Sequence, residues 1–132
     1  MRAAFMNRFA LEVPDLTMVM FTDESARDER TDVRSRGWSL KGTRCSRWVP
    51  FIRGKHVSIL PVLILNGIIT YDIIEGSVTS ERFIQFLREY VLLLTNPYPG
   101  PRSVLVLDNC NIHHAEEVRV LVEEEAGMLM LF

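Results

Sequence analysis

A chain of 132 residues suits one domain with one core, because a chain of this size buries roughly two thirds of its unfolded surface. Its composition, 48% hydrophobic and 24% charged with 7 Gly and 6 Pro, excludes the disordered, fibrous and low-complexity classes, and no internal repeat is present. The formal charge of -2 conceals an asymmetry: Arg27 to Lys55 holds nine basic and three acidic residues, a local +6, while the other 6 basic and 14 acidic residues give -8.

Residues 2 to 12 carry Phe5, Phe9 and Leu11 at helical spacing, and Pro14 ends the run, which predicts a short leading helix. Asn7, Arg8 and Glu12 interrupt any secretory apolar core here. Cys45 and Cys110 stand far apart and form no CxxC pair, so the expectation is a reducing compartment and no secretion. Next comes a compact apolar strand, Thr17 to Thr22, stopped by Asp23-Glu24. Residues 25 to 43 read as a loop with a short strand around "RGWSL", turning at Gly37 and Gly42. Residues 44 to 52, 56 to 65 and 68 to 75 read as three further strands, the last two joined by the Asn66-Gly67 hairpin signal. The apolar stretch Val57 to Ile74 approaches a membrane span in length, but Pro61, Asn66-Gly67 and Asp72 divide it, so no membrane segment is expected. Ser77 or Thr79 then caps a helix with Phe83, Phe86, Leu87, Tyr90, Val91 and Leu94 on one face. The segment "TNPYPGPRS" ends it. A strand at 103 to 107, a helix from about Ala115 to Ala126 closed by Gly127, and a last strand "MLMLF" complete the order.

Antiparallel strands followed by helix, strand, helix and strand predict an α/β fold, a mixed sheet with flanking helices. Strands 18 to 22 and 103 to 107, apolar along nearly their whole length, are expected at its centre. Both end in aspartate, and strand ends of this kind gather in one crevice, the usual ligand position of α/β sheets. Two carboxylates brought close repel each other and call for a proton or a cation. Their hard oxygens favour Mg²⁺ or Mn²⁺, the setting of phosphoryl transfer. Either aspartate alone reads equally as the cap of a turn or of the following helix. Cys110, His113 and His114 suggest zinc, but only Cys45 and His56 remain to complete four ligands, and zinc is not favoured. No Gly-rich phosphate loop, GxSxG or Ser/His/Asp set is present. The basic 27 to 55 segment, with Trp38 and Trp48 interleaved, suits a polyanion backbone; the competing reading is a solvated surface with scattered arginines.

Three blocks, "TDESARDERTDVRSRGW", "NPYPGPRSVLVLDN" and the DNxxxH pattern, resemble the catalytic domain of mariner-type DDE transposases, above all fungal ones, from about Met18 to Phe132. The resemblance implies a ribonuclease-H-like sheet and metal-dependent cleavage of DNA with transfer of a 3′-hydroxyl. It implies catalytic and metal-holding roles for Asp23 and Asp108, with Mg²⁺ or Mn²⁺ as cofactor. Supporting roles fall to Glu24, Asn109 and His113. Contacts to nucleic acid fall to Arg30, Arg34, Arg36, Lys41, Arg44, Arg47, Arg53 and Lys55. Transposon ends and target DNA are the implied partners, with a homodimer or full-length copies as protein partners. A nuclear location is implied in a eukaryote and a cytoplasmic one otherwise.

One departure stands out. The family's third acid lies further beyond the second than the 24 residues that follow Asp108 here. Glu123, Glu124 and Glu125 fall before the last strand and read as a solvated helix end. The expectation is therefore residues 1 to 16 as a linker-helix remnant and 17 to 132 as a catalytic domain truncated before its final helix, with little or no transposase activity by itself. A different ribonuclease-H-like nuclease, or a non-catalytic DNA-binding or interaction remnant, is the alternative.

Overall fold

The computed structural model describes residues 2–27, 36–48, 54–108 and 116–132. Helix α1 spans Arg2–Glu12, as its spacing predicts. The first strand is shorter than expected. Asp15 accepts a hydrogen bond from the Thr17 N–H at 3.0 Å and winds Leu16–Met18 into a 3-10 turn, so β1 occupies only Val19–Thr22. Strand β2, Ser25–Arg27, lies where a loop was expected. Strands β3, Val57–Ile64, and β4, Gly67–Glu75, form the anticipated hairpin. Gly67 has φ +121°, a conformation an L side chain rarely adopts. Residues 36 to 48 contain no strand, which corrects the short strand around "RGWSL" and the first half of the one expected at 44 to 52. The rest of that one lies outside the described residues.

Helix α2, Ser80–Phe86, begins at the Thr79 cap, whose hydroxyl accepts from the Arg82 N–H at 3.3 Å, and wider π-type turns carry it on to Val91. Strand β5 is Val104–Val106. Helix α3, Glu116–Arg119, continues in π-type turns to Glu125. Gly127, at φ +67°, reverses the chain into β6, Leu129–Leu131. Among the described residues no helix is long and apolar enough to cross a membrane.

One mixed sheet holds all six strands. Strand β3 pairs along its whole length with β4, so β1 and β2 share its other side, in line. Their register is continuous, from Phe21 opposite Leu63 to Arg27 opposite Val57. They are one strand interrupted at Asp23-Glu24. Strand β5 pairs parallel with β1, and β6 parallel with β5.

Both sheet faces are apolar, but they are covered unequally. On one, Met20, Leu60, Val62, Ile74, Leu105, Leu107 and Met130 pack under Phe83, Phe86, Leu87, Val91, Val118, Leu121 and Val122. On the other, α1 covers Val19, Val104 and Leu131 with Phe5 and Phe9. Beyond α1 none of the described residues covers that face, and Phe21, Leu63, Ile68, Tyr71 and Ile73 are exposed.

Candidate functional site

Two neighbouring parallel strands set the geometry. β1 and β5 pair as Val19 with Val104, Met20 with Leu105 and Phe21 with Val106. The next positions but one are Asp23 and Asp108, so both carboxylates leave the sheet at the same end and face. The cores beneath hold Val19, Met20, Val104 and Leu105 fully buried, which fixes the two backbones rigidly. A cleft of about 410 Å³ opens over the ends of these strands and the adjoining β3, lined by Phe21, Pro61, Leu63 and Val106 together with Asp23 and Asp108.

A regular strand would send Asp23 and Glu24 to opposite faces. Instead, one carboxylate oxygen from each of Asp23, Glu24 and Asp108 lies within 4.8 Å of the other two. The cause is visible in the ladder. Continuing the β1–β3 register places Pro61 opposite Asp23. The Pro61 carbonyl accepts from the buried Thr22 hydroxyl at 2.8 Å, so it points toward this strand. In a β-strand the N–H of a residue points the same way as its carbonyl, and proline has none. The ladder therefore lacks a donor where the chain leaves strand geometry. The Asp23 carbonyl thus faces a residue with no N–H to give, and next to it the Glu24 N–H donates to the Asp23 Oδ1 at 2.8 Å.

This donor set suits a hard divalent cation. Octahedral Mg²⁺ at about 2.0–2.1 Å from each oxygen separates opposite ligands by about 4.2 Å. One oxygen from each of the three residues lies within 4.8 Å of the other two, and all three donors are carboxylates.

The structure thus brings together Asp23, Asp108 and Glu24. The carboxylate of Glu24 joins the acids directly, a placement that the alternation of a strand concealed and that Pro61 within an otherwise β-forming run could have signalled. Asn109 and His113 lie outside the described residues, as do Arg30, Arg34 and Arg53 and the Cys110, His113 and His114 group considered for zinc. Arg36, Lys41, Arg44, Arg47 and Lys55 are exposed, and none lines the cleft. Glu123, Glu124 and Glu125 stay away from it: Arg119 reaches Glu123 at 3.5 Å and Glu124 at 2.9 Å, and Arg88 reaches Glu125 at 3.4 Å.

Residues 18–132 match the family model described as DDE superfamily endonuclease. Among solved structures, the chain is similar to the Mos1 strand transfer complex at 20% identity and a TM-score of 0.71, over 98% of this chain and 38% of that one. It is similar to the Mos1 mariner paired end complex with Mn at 18% identity and a TM-score of 0.67, over 98% and 39%. The catalytic domain of Mos1 mariner transposase matches at 16% identity and a TM-score of 0.55, over 98% and 55%. The fold shared with these structures is the ribonuclease-H-like mixed sheet, and the chain spans about two fifths of the first two matched chains. Against the curated proteins no match is found.

Proposed function

The chain belongs to the DDE superfamily endonucleases, and on that footing we propose that it carries the metal-dependent catalytic site of a DNA transposase. Its substrates in this reading are transposon ends and target DNA, and the reaction is strand cleavage and transfer by phosphoryl transfer. The observation that carries the reading is the convergence of Asp23, Glu24 and Asp108 at the ends of two adjacent parallel strands, inside the matched family region. Asp23 and Asp108 hold Mg²⁺ or Mn²⁺, and Glu24 completes or orients the set. When bound, the cation supplies Lewis acidity to the scissile phosphoryl group and makes an attacking hydroxyl more acidic. Asn109 and His113 support the acids. Arg30, Arg34, Arg36, Lys41, Arg44, Arg47, Arg53 and Lys55 pair with DNA phosphates. A second copy, or a longer copy of the same family, is the protein partner, and a nucleus the place of work in a eukaryotic cell.

The reading is supported by the Mos1 paired end complexes, which were solved with Mn and with Mg. Its test is calorimetric titration of the chain with Mn²⁺. Saturable binding is expected, and Asp23→Asn or Asp108→Asn should each remove it while far-UV circular dichroism stays unchanged. Undiminished binding in both variants contradicts the assignment.

A further inference from the structure

The acid site leaves one chemically distinctive segment unused. Residues 36 to 48 contain Arg36, Lys41, Arg44 and Arg47 and no acid. They also contain both tryptophans of the protein, and Trp38 and Trp48, at 101% and 99% exposure, lie bare. Leu40, between them in sequence, is 82% exposed. Large aromatic surfaces left this open mark a contact with something else.

The segment is a built hook. The Thr43 N–H and hydroxyl both donate to the Leu40 carbonyl, at 3.0 and 2.7 Å, and the Ser39 hydroxyl donates to the Thr43 carbonyl at 2.9 Å. Gly42 takes the positive φ of +87° that this turn needs. Behind the turn the Cys45 thiol donates to the Trp38 carbonyl at 3.6 Å. Gly37 lies so near that a Cβ there would come within 2.7 Å of the Cys45 Sγ, so glycine permits the two limbs to close. Trp38 is thus displayed on a stem held by side chains rather than by a sheet.

We propose that this hook is a stacking platform for unpaired nucleobases, Trp38 and Trp48 taking base faces while Arg36, Lys41, Arg44 and Arg47 pair with the flanking phosphates. The charge decides for a nucleic acid: four cations without an acid complement a polyanion. The two indoles decide for unpaired bases, because a stacked duplex hides the base faces and a single strand, gap or extruded nucleotide presents them. The inference rests on the DNA reading of the acid site and deepens it by naming the state of the DNA that the chain holds.

Because both tryptophans lie in the hook, fluorescence excited selectively at tryptophan reports on it alone. The full chain is titrated in EDTA with a single-stranded oligonucleotide and with the blunt duplex of the same sequence. Saturable quenching by the single strand, tighter than by the duplex, is expected. Trp38→Ala and Trp48→Ala should each weaken single-strand binding by about tenfold and leave duplex binding nearly unchanged; Trp→Phe should restore most of the loss. Equal binding of both DNAs, insensitive to either alanine, overturns the platform and leaves the DNA reading standing. A fluorescence change that follows protein concentration without DNA overturns it in favour of a protein contact. Absence of binding to either DNA overturns it together with DNA as substrate. Because the titration is made in EDTA, its outcome is separate from failure of the metal site.

Discussion

Asp23 and Asp108 lie together because each follows an apolar strand that could not be moved without unpacking the core. A second carboxylate illustrates how a single residue responds to its surroundings. Asp15 takes hydrogen bonds from the Thr17 backbone N–H and side chain, which hold its carboxyl below the ordinary range. A folded-state pKa below the unfolded one adds stability above the unfolded value of about 3.9, and that stability fades as pH falls through the folded value. Urea denaturation at pH 5 and pH 3 should therefore show a smaller acid loss for Asp15→Asn than for the wild type; parallel losses contradict it. At this scale the sequence spoke plainly where an apolar run met a carboxylate, as at Thr22-Asp23 and Leu107-Asp108. For Glu24 the family resemblance implied a supporting role, but not that its carboxylate joins the two aspartates. Local alternation sends that side chain away from Asp23, and only the neighbouring strand, with Pro61 in register, reverses the expectation.

Among the elements, β3 decides most. It receives β4 on one side and the interrupted β1–β2 strand on the other, and Pro61 sits where the interruption falls. Pro61→Ala returns an N–H to the ladder. The expected result is a continuous strand through residues 23 and 24, an amide at position 61 that exchanges slowly because it donates to the Asp23 carbonyl, and Mn²⁺ affinity lowered by about tenfold, the scale of a lost positioning contact at a metal site. Unchanged affinity and fast exchange of that amide contradict the role given to the proline. The hairpin of β3 and β4 was readable because Asn66-Gly67 and two β-branched runs agree locally. Residues 44 to 48 carried Cys45 and Trp48 in a plausible β composition but have no strand partner in the structure. Composition reports what suits a strand, and pairing is settled at a distance. Ser25–Arg27 is the converse, an exposed and unremarkable triplet made a strand by β3.

The whole molecule divides into a covered and an uncovered half-face, and it is the open one that adjoins the cleft. Phe21 and Leu63 belong to both, with Ile68, Tyr71 and Ile73 extending the apolar surface outward. Such a patch invites association. Ile73→Lys, at an exposed position, should reduce concentration-dependent light scattering and binding of an apolar dye, with stability changed by no more than about 0.5 kcal/mol. Scattering as strong as that of the wild type contradicts the patch as its source. The mixed sheet was legible from element order and its two central strands from their apolar length, but the expectation that those strands are covered on both faces fails at Phe21, which is exposed. Anomalous diffraction from crystals soaked in Mn²⁺ tests the crevice directly. The account requires a manganese peak between Asp23 and Asp108, with oxygens of both at about 2 Å; manganese held elsewhere, with neither aspartate among its ligands, would contradict it.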